Sequence, residues 1–286
     1  MVKLFEKDIK TREILEWKGL HLLHFAGSSC SQKTRISLNL KGINWESHPV
    51  DLVAQDNFKP WFLGINPRGL VPVLVHDGDV HIESNDILEY LDQAFPQKPL
   101  IPSELHDRIV QDLREEDNLH IHIRNLTMRF VIPKILAMKK PESLSNFTEA
   151  SGQIEGSEDS HKAMELKYWQ AFAERGITDE QVIISANKFK SALSEFDEQL
   201  ASNTYLLGEQ LTQLDIAWFI YAARLQAAGY PIERLHPNVH RWFSELVSRD
   251  EFAREVAIPL PLKLVSGGLS LIHRLRGTTL EKITGL

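Results

Sequence analysis

The stretch GLVPVLVHDGDVHIESNDILEYL, Gly69–Leu91, changes its period halfway along, and that change decides the fold. Val71, Val73 and Val75 alternate with other residues, the spacing of a strand with a buried face. Asp77-Gly78 supplies a two-residue hairpin turn, and Val80 and Ile82 carry the return strand. From Ser84 the apolar residues fall at helical steps, Ile87, Leu88, Leu91 and Phe95, with Ser84 placed as the N-cap. A hairpin running into a helix is expected here.

Upstream, HLLHFAG (His21–Gly27) reads as a short strand, followed by a helix to Lys41 with Gly42 at its stop position. WESHPVDL (Trp45–Leu52) is a second strand, so the first hundred residues open β-α-β and close with the hairpin and helix. Pro96, Pro99 and Pro102 then mark a linker. Beyond it everything reads helical. Val182, Ala186, Phe189, Leu193, Phe196 and Leu200 form one amphipathic stripe. TQLDIAWFIYAARLQ is apolar nearly all round and opens with Thr212-x-x-Asp215, which fits a capping box with Asp in the acid position. Lys139–Ser160 is a polar excursion between helices. The expected fold is an α/β N-terminal domain followed by an all-α bundle. The divisions are a charged leader (1–20), an α/β domain (21–98), a helical domain (104–258) and a C-terminal extension (259–286). That extension interleaves Lys263, Arg274, Arg276 and Lys282 with Leu and Ile, a pattern suited to packing over the body or touching another surface.

The 286 residues are enough for two modest domains with buried cores. A net charge of −7 argues against nucleic acid as a partner, since phosphate contacts need basic surface. One cysteine excludes an intramolecular disulfide framework and a multi-cysteine zinc site, and suits a reducing compartment. No run reaches the ~18 apolar residues of a transmembrane helix, and the mixed-charge start is unlike a secretory signal. A soluble, cytoplasmic protein is expected.

Three short motifs bear on chemistry. In GSSCSQK, Ser28, Ser29 and Cys30 stand at a strand-to-helix junction, where free N–H groups and the helix dipole favour an anion. Taken alone, this pattern reads first as a capped helix with a buried cysteine. Val71-Pro72 reads as an edge-strand proline, or as a cis peptide that turns the Val71 backbone toward a peptide-like ligand. Glu83-Ser84 reads as another cap, or as a pair meeting an ammonium and a carboxylate. His76, Asp77, Asp79, His81 and Glu83 crowd one hairpin, but alternate residues of a strand face opposite ways, so no metal is expected.

In this order, and followed by a helical domain, the three motifs resemble the cytosolic glutathione transferase superfamily from about Leu22 to Ser248. SSCSQKTRISLNLKGI is similar to the active-site helix of the zeta class, the maleylacetoacetate isomerases. NPRGLVPVLVHDGDVHIESNDILEYLDQAFP resembles the bacterial β-aryl etherases of lignin breakdown, related fungal enzymes and the ganglioside-induced differentiation-associated proteins. The last of these are also matched by KPWFLGIN, and ELKYWQAFAERGITDEQV is most like the etherase branch. The resemblance implies a thioredoxin-like N-terminal domain, glutathione as co-substrate and a homodimer. It implies that Ser28 stabilises the glutathione thiolate, with Ser29 and Cys30 the next members of the zeta run. Val71 is then the backbone partner of the cysteinyl unit, and Pro72 the cis-proline. Glu83 and Ser84 hold the γ-glutamyl end, and Asn57 contacts the glycine end. Trp169, Trp218 and Tyr221 are the candidate wall of a pocket for a small hydrophobic or aromatic substrate. The reaction options are attack on an aromatic electrophile (β-aryl ether cleavage being the most specific form), reductive dehalogenation or deglutathionylation through Cys30, and zeta-type isomerisation. A non-catalytic binding module is the option of a different class.

Overall fold

The computed structural model describes residues 2–150, 153–154, 157–257 and 260–286. Ser151, Gly152, Glu155 and Gly156 of the polar excursion lie outside them, as do Ile258 and Pro259, where the helical domain is expected to give way to the extension. Two compact units emerge, one of residues 1–97 with 138–174, the other of 98–137 with 175–286.

The first unit is built on a four-stranded sheet of described residues, in the order β2-β1-β3-β4. Its strands are β1 (Leu20–His24), β2 (Glu46–Pro49), β3 (Val73–His76) and β4 (Asp79–His81). β1 runs parallel to β2 and antiparallel to β3, and β3 pairs antiparallel with β4. Between β1 and β2 lies α1 (Ser29–Lys41), ended by Gly42 at φ +69°, a left-handed stop that glycine reaches without strain. α2 (Pro60–Leu63) precedes β3, and α3 (Ser84–Ala94) follows β4.

The period of two sorts the sheet's side chains into two cores. Leu23, Val73, Val75, Val80 and Ile82 join Val50, Phe62 and Ile65 on one face. Leu20, Leu22 and Leu74 meet Leu38 of α1 and Ile87 and Leu91 of α3 on the other. The alternation of Val71, Val73 and Val75 thus reports one buried face, as expected. Asp77 and Gly78 both have positive φ (+51° and +89°), the backbone of the expected hairpin turn.

The leader is no appendage. Leu4, Ile9 and Ile14 are buried in the first core, and the Leu4 amide donates to the Val80 carbonyl at 2.9 Å, extending the sheet past β4. The Val2 amide donates to Asp86 Oδ2 at 2.8 Å. Residues 138–174, expected within the helical domain, also cluster with the sheet unit. They form α4 (Pro141–Glu149), a ribbon of β5 (Gln153–Ile154) and β6 (Ser157–Glu158), and α5 (His161–Arg175), whose last residue lies across the boundary. The ribbon falls within the polar excursion expected between helices at Lys139–Ser160. Ile154 anchors it by inserting into the first core, and Phe147 of α4 packs edge-on against Phe58 at 5.2 Å between ring centres.

The second unit is helical among its described residues. In it, α6 (Asp179–Leu200) carries the predicted stripe, and α7 (Gln213–Ala227) is buried along most of its length. Thr212 and Asp215 form the expected capping box: Asp215 Oδ2 accepts from the Thr212 amide and hydroxyl, each at 2.9 Å. Its other oxygen accepts from the Leu206 amide at 2.9 Å and from Trp242 Nε1 at 3.1 Å. No described helix is long and apolar enough to cross a membrane.

Candidate active site

Ser28 is the N-cap of α1: its backbone is extended and its Oγ accepts from the Ser31 amide at 3.3 Å. The same hydroxyl donates toward the Val71 carbonyl at 3.5 Å, joining two segments forty-three residues apart. Ser29 and Cys30 follow in the first helical turn, both half-buried. Residues 25–27 leave β1 as a tight turn, which is why the strand ends at His24 rather than at Gly27. Arg35 holds that turn by donating to the Phe25 and Ala26 carbonyls, each at 3.1 Å, with His24 Nδ1 at 2.9 Å. Burial and the nearby Arg35 charge push His24 down to about 4, so it is neutral at pH 7.

The Val71–Pro72 peptide bond is cis. The chain reaches it through a loop fixed by two asparagines. Asn66 Nδ2 donates to the Leu70 carbonyl at 2.8 Å, and Asn57 Nδ2 donates to the Gly69 carbonyl at 2.7 Å. Gly69 has φ +64° and would place a Cβ 3.2 Å from the Phe58 ring, so a side chain fits poorly there. Asn57 is itself buried, and its Oδ1 has no hydrogen-bond partner.

Glu83, not Ser84, stands at the N-cap of α3, so the helix begins one residue earlier than a Ser84 cap would give. Glu83 has φ +66°, a conformation that non-glycine residues rarely adopt and that collects at functional sites. No side chain of the N-cap bonds back to the helix, and Ser84 is buried as the first helical residue.

Three ties bring these segments together: Ser28 to Val71, Lys33 Nζ of α1 to Asn85 Oδ1 of α3 at 2.7 Å, and Arg68 Nη1 to Glu83 Oε1 at 2.5 Å. No sequence motif singles out Arg68. It also donates to both oxygens of Asp159, at 2.6 and 3.0 Å. Burial would raise the Asp159 carboxyl, but the hydrogen bond and charge of Arg68 hold it below its ordinary value. The only hint in the sequence is an arginine between Pro67 and Gly69, and nothing local reveals that its acids lie 15 and 91 residues away.

The three aromatic candidates sit in the two units' interiors. Trp169 donates to Glu165 Oε2 at 3.1 Å and carries Lys139 Nζ 4.3 Å above its ring. Trp218 and Tyr221 pack with Phe189, and the Tyr221 hydroxyl donates to the Glu116 carbonyl at 3.2 Å. Their surroundings are those of core residues.

Comparison with known proteins places these features in a family. The family described as "Glutathione S-transferase, N-terminal domain" matches residues 27–94, and "Glutathione S-transferase, C-terminal domain" matches residues 170–245. A zeta-class glutathione S-transferase of Euphorbia esula is 44% identical over 91 residues, covering 32% of this chain and 40% of that protein. Protein LigF of Sphingobium sp. strain SYK-6 is 26% identical over 240 residues, 80% of this chain and 90% of its own. The crystal structure described as β-etherase LigF superposes with a TM-score of 0.70 at 24% identity, covering 82% of this chain and 98% of the other. The aligned part of the chain spans about 40% of the length of the Euphorbia esula protein, of glutathione S-transferase 1 of Dianthus caryophyllus and of glutathione S-transferase Z1 of Arabidopsis thaliana. A thioredoxin-like sheet unit and a helical unit, each matched by its own domain, place the chain in the glutathione S-transferase family.

Proposed function

We propose that the protein is a glutathione transferase that holds glutathione as a thiolate for attack on an aromatic electrophile. The observation that carries this reading is the meeting of the Ser28 hydroxyl, at the open end of α1, with the Val71 carbonyl beside the cis Val71–Pro72 bond. A thiol at rest has a pKa near ~8.5, so reaction at neutral pH needs its anion favoured. The Ser28 hydroxyl can turn from Val71 to donate to that anion, and the N-terminus of α1 adds its dipole, together worth about 1–3 kcal/mol. The Val71 backbone pairs with the cysteinyl unit. Glu83 meets the γ-glutamyl ammonium, while Ser84 and the first amides of α3 meet its carboxylate. Asn57 serves the site through the Gly69 turn, because its side chain is bonded there and buried.

In the most specific form, glutathione-dependent β-aryl ether cleavage, sulfur attacks the carbon bearing the aryloxy group. The C–S bond forms as the C–O bond breaks, and the phenolate leaves with the bonding pair; solvent carries it the proton lost by the thiol. Similarity to Protein LigF along 80% of the chain supports this choice over isomerisation, because the likeness to a zeta-class enzyme of Euphorbia esula covers 32% of it and that to glutathione S-transferase Z2 of Arabidopsis thaliana 44%. Ser28→Ala should lower turnover of a β-aryl ether roughly 10–100-fold, while Cys30→Ala keeps most of it. The reverse pattern would move the protein to thiol chemistry through Cys30, reductive dehalogenation or deglutathionylation. No retention on immobilised glutathione and no turnover of any aryl electrophile would leave a binding module.

A further inference from the structure

The free edge of the sheet carries a second cluster, which owes nothing to the glutathione reading. In the parallel pair, His21 lies opposite Glu46 and Leu23 opposite His48, so the two-residue period puts His21, Glu46 and His48 on one face. His21 Nδ1 is 3.0 Å from His48 Nε2 and 3.4 Å from Glu46 Oε2, and His48 Nε2 is 3.5 Å from Glu46 Oε1. A tetrahedral ion with bonds of about 2.0–2.1 Å separates its ligand atoms by about 3.3 Å, so these donors already stand near three of its corners.

The protons point the same way. His21 Nε2 lies 2.8 Å from the Lys18 carbonyl, which can only accept, so Nε2 carries a proton and the neutral ring presents its lone pair at Nδ1. A hydrogen bond from His48 would satisfy that lone pair. It would leave the Glu46 carboxylate beside two nitrogens with no proton directed at it. A cation resolves all three at once, and a histidine whose second nitrogen donates to a carbonyl is the usual outer support of a metal ligand. Trp17 stacks on the His48 ring at 4.4 Å and 17° and lies tilted 4.7 Å from His21, steadying both. The Glu46 side chain is 66% exposed, which leaves the remaining corner open to water.

We propose that His21, Glu46 and His48 form a site for a divalent transition-metal ion of the zinc type, which fastens edge strand β2 to β1. Two imidazoles and a carboxylate suit zinc and its neighbours, and the set has no thiolate to favour softer ions. The sequence crowds its metal-like residues along the hairpin, where no metal is expected. Here the ligands come from two strands, brought together only by parallel pairing.

The test is calorimetric titration of the untagged, chelator-treated full chain with Zn2+, together with the absorption spectrum of Co2+ bound to it. One ion per chain is expected, with the visible bands of four-coordinate cobalt. His48→Gln and Glu46→Gln should each weaken binding by roughly 10–100-fold or more and remove the bands. Glu46 is exposed, so its variant keeps the fold and keeps the comparison valid. No stoichiometric uptake by the parent chain, or uptake equally tight in both variants, would overturn the proposal.

Discussion

At the scale of single residues, Arg68 shows how a site can depend on a side chain that no motif announces. It is bonded to Glu83 on one side and Asp159 on the other, and Glu83 is held at a positive φ. Removing the guanidinium frees Glu83 to swing from the position proposed to meet the glutathione ammonium. Arg68→Met is therefore expected to raise KM for glutathione roughly 5–20-fold, with kcat changed far less. Steady-state kinetics with glutathione varied would check this, and an equal fall in kcat with KM unmoved would contradict it. The change of hydrophobic period places Ser28, Val71-Pro72 and Glu83-Ser84 at element boundaries, but taken alone that pattern reads as caps and an edge proline, and the roles proposed for them come from the family resemblance. Arg68 was not legible, because its role rests on long-range pairing, and local pattern carries no record of such partners.

At the scale of elements, α1 departs from simple amphipathic design. Lys33, Arg35 and Lys41 are all buried, each with a partner at hand: Asn85 for Lys33, His24 and two carbonyls for Arg35, Asp92 for Lys41. Lys41 Nζ and Asp92 Oδ1 are 2.7 Å apart, with side chains 0% and 8% exposed. Breaking such a pair strands a buried charge, whereas replacing both members with apolar groups does not. Lys41→Met should thus cost about 3–5 kcal/mol in urea unfolding, and adding Asp92→Leu should recover most of that. A double variant no more stable than the single one would refute this reading. The boundaries of α1 and of the hairpin were readable from apolar spacing and turn residues. The β5–β6 ribbon was not, because its segment is polar and short, and a single inserted side chain, Ile154, fixes its place.

At the scale of the whole molecule, buried histidines make stability depend on pH in the acid range, His24 and His81 most strongly. His24 and His81 are both pushed down to about 4, mainly by burial, from an ordinary 6.5. The unfolded chain therefore binds more protons than the folded one between pH ~6.5 and ~4. Their contribution to stability is full above that window, declines as pH falls through it, and is lost below. Urea midpoints should drop across the window, and His81→Phe, which keeps a ring against Tyr90, should flatten the drop. An unchanged slope in that variant would remove His81 from the account. The proline cluster Pro96, Pro99 and Pro102 stands at the first break between the two units, after residue 97. The return of residues 138–174 to the sheet unit was hidden, since helical spacing does not say against which core a helix lies.

The leader's attachment has a kinetic meaning as well. Val2 bonds to Asp86 across 84 positions, and Leu4 to Val80. During synthesis these leader residues have no partners until β4 and α3 have followed them. Closing so long a loop is slow compared with forming local contacts, so the leader is fixed late. Until then the outer rim of β4 stands open to pairing with another nascent chain, and the leader acts as the latch that ends that exposure.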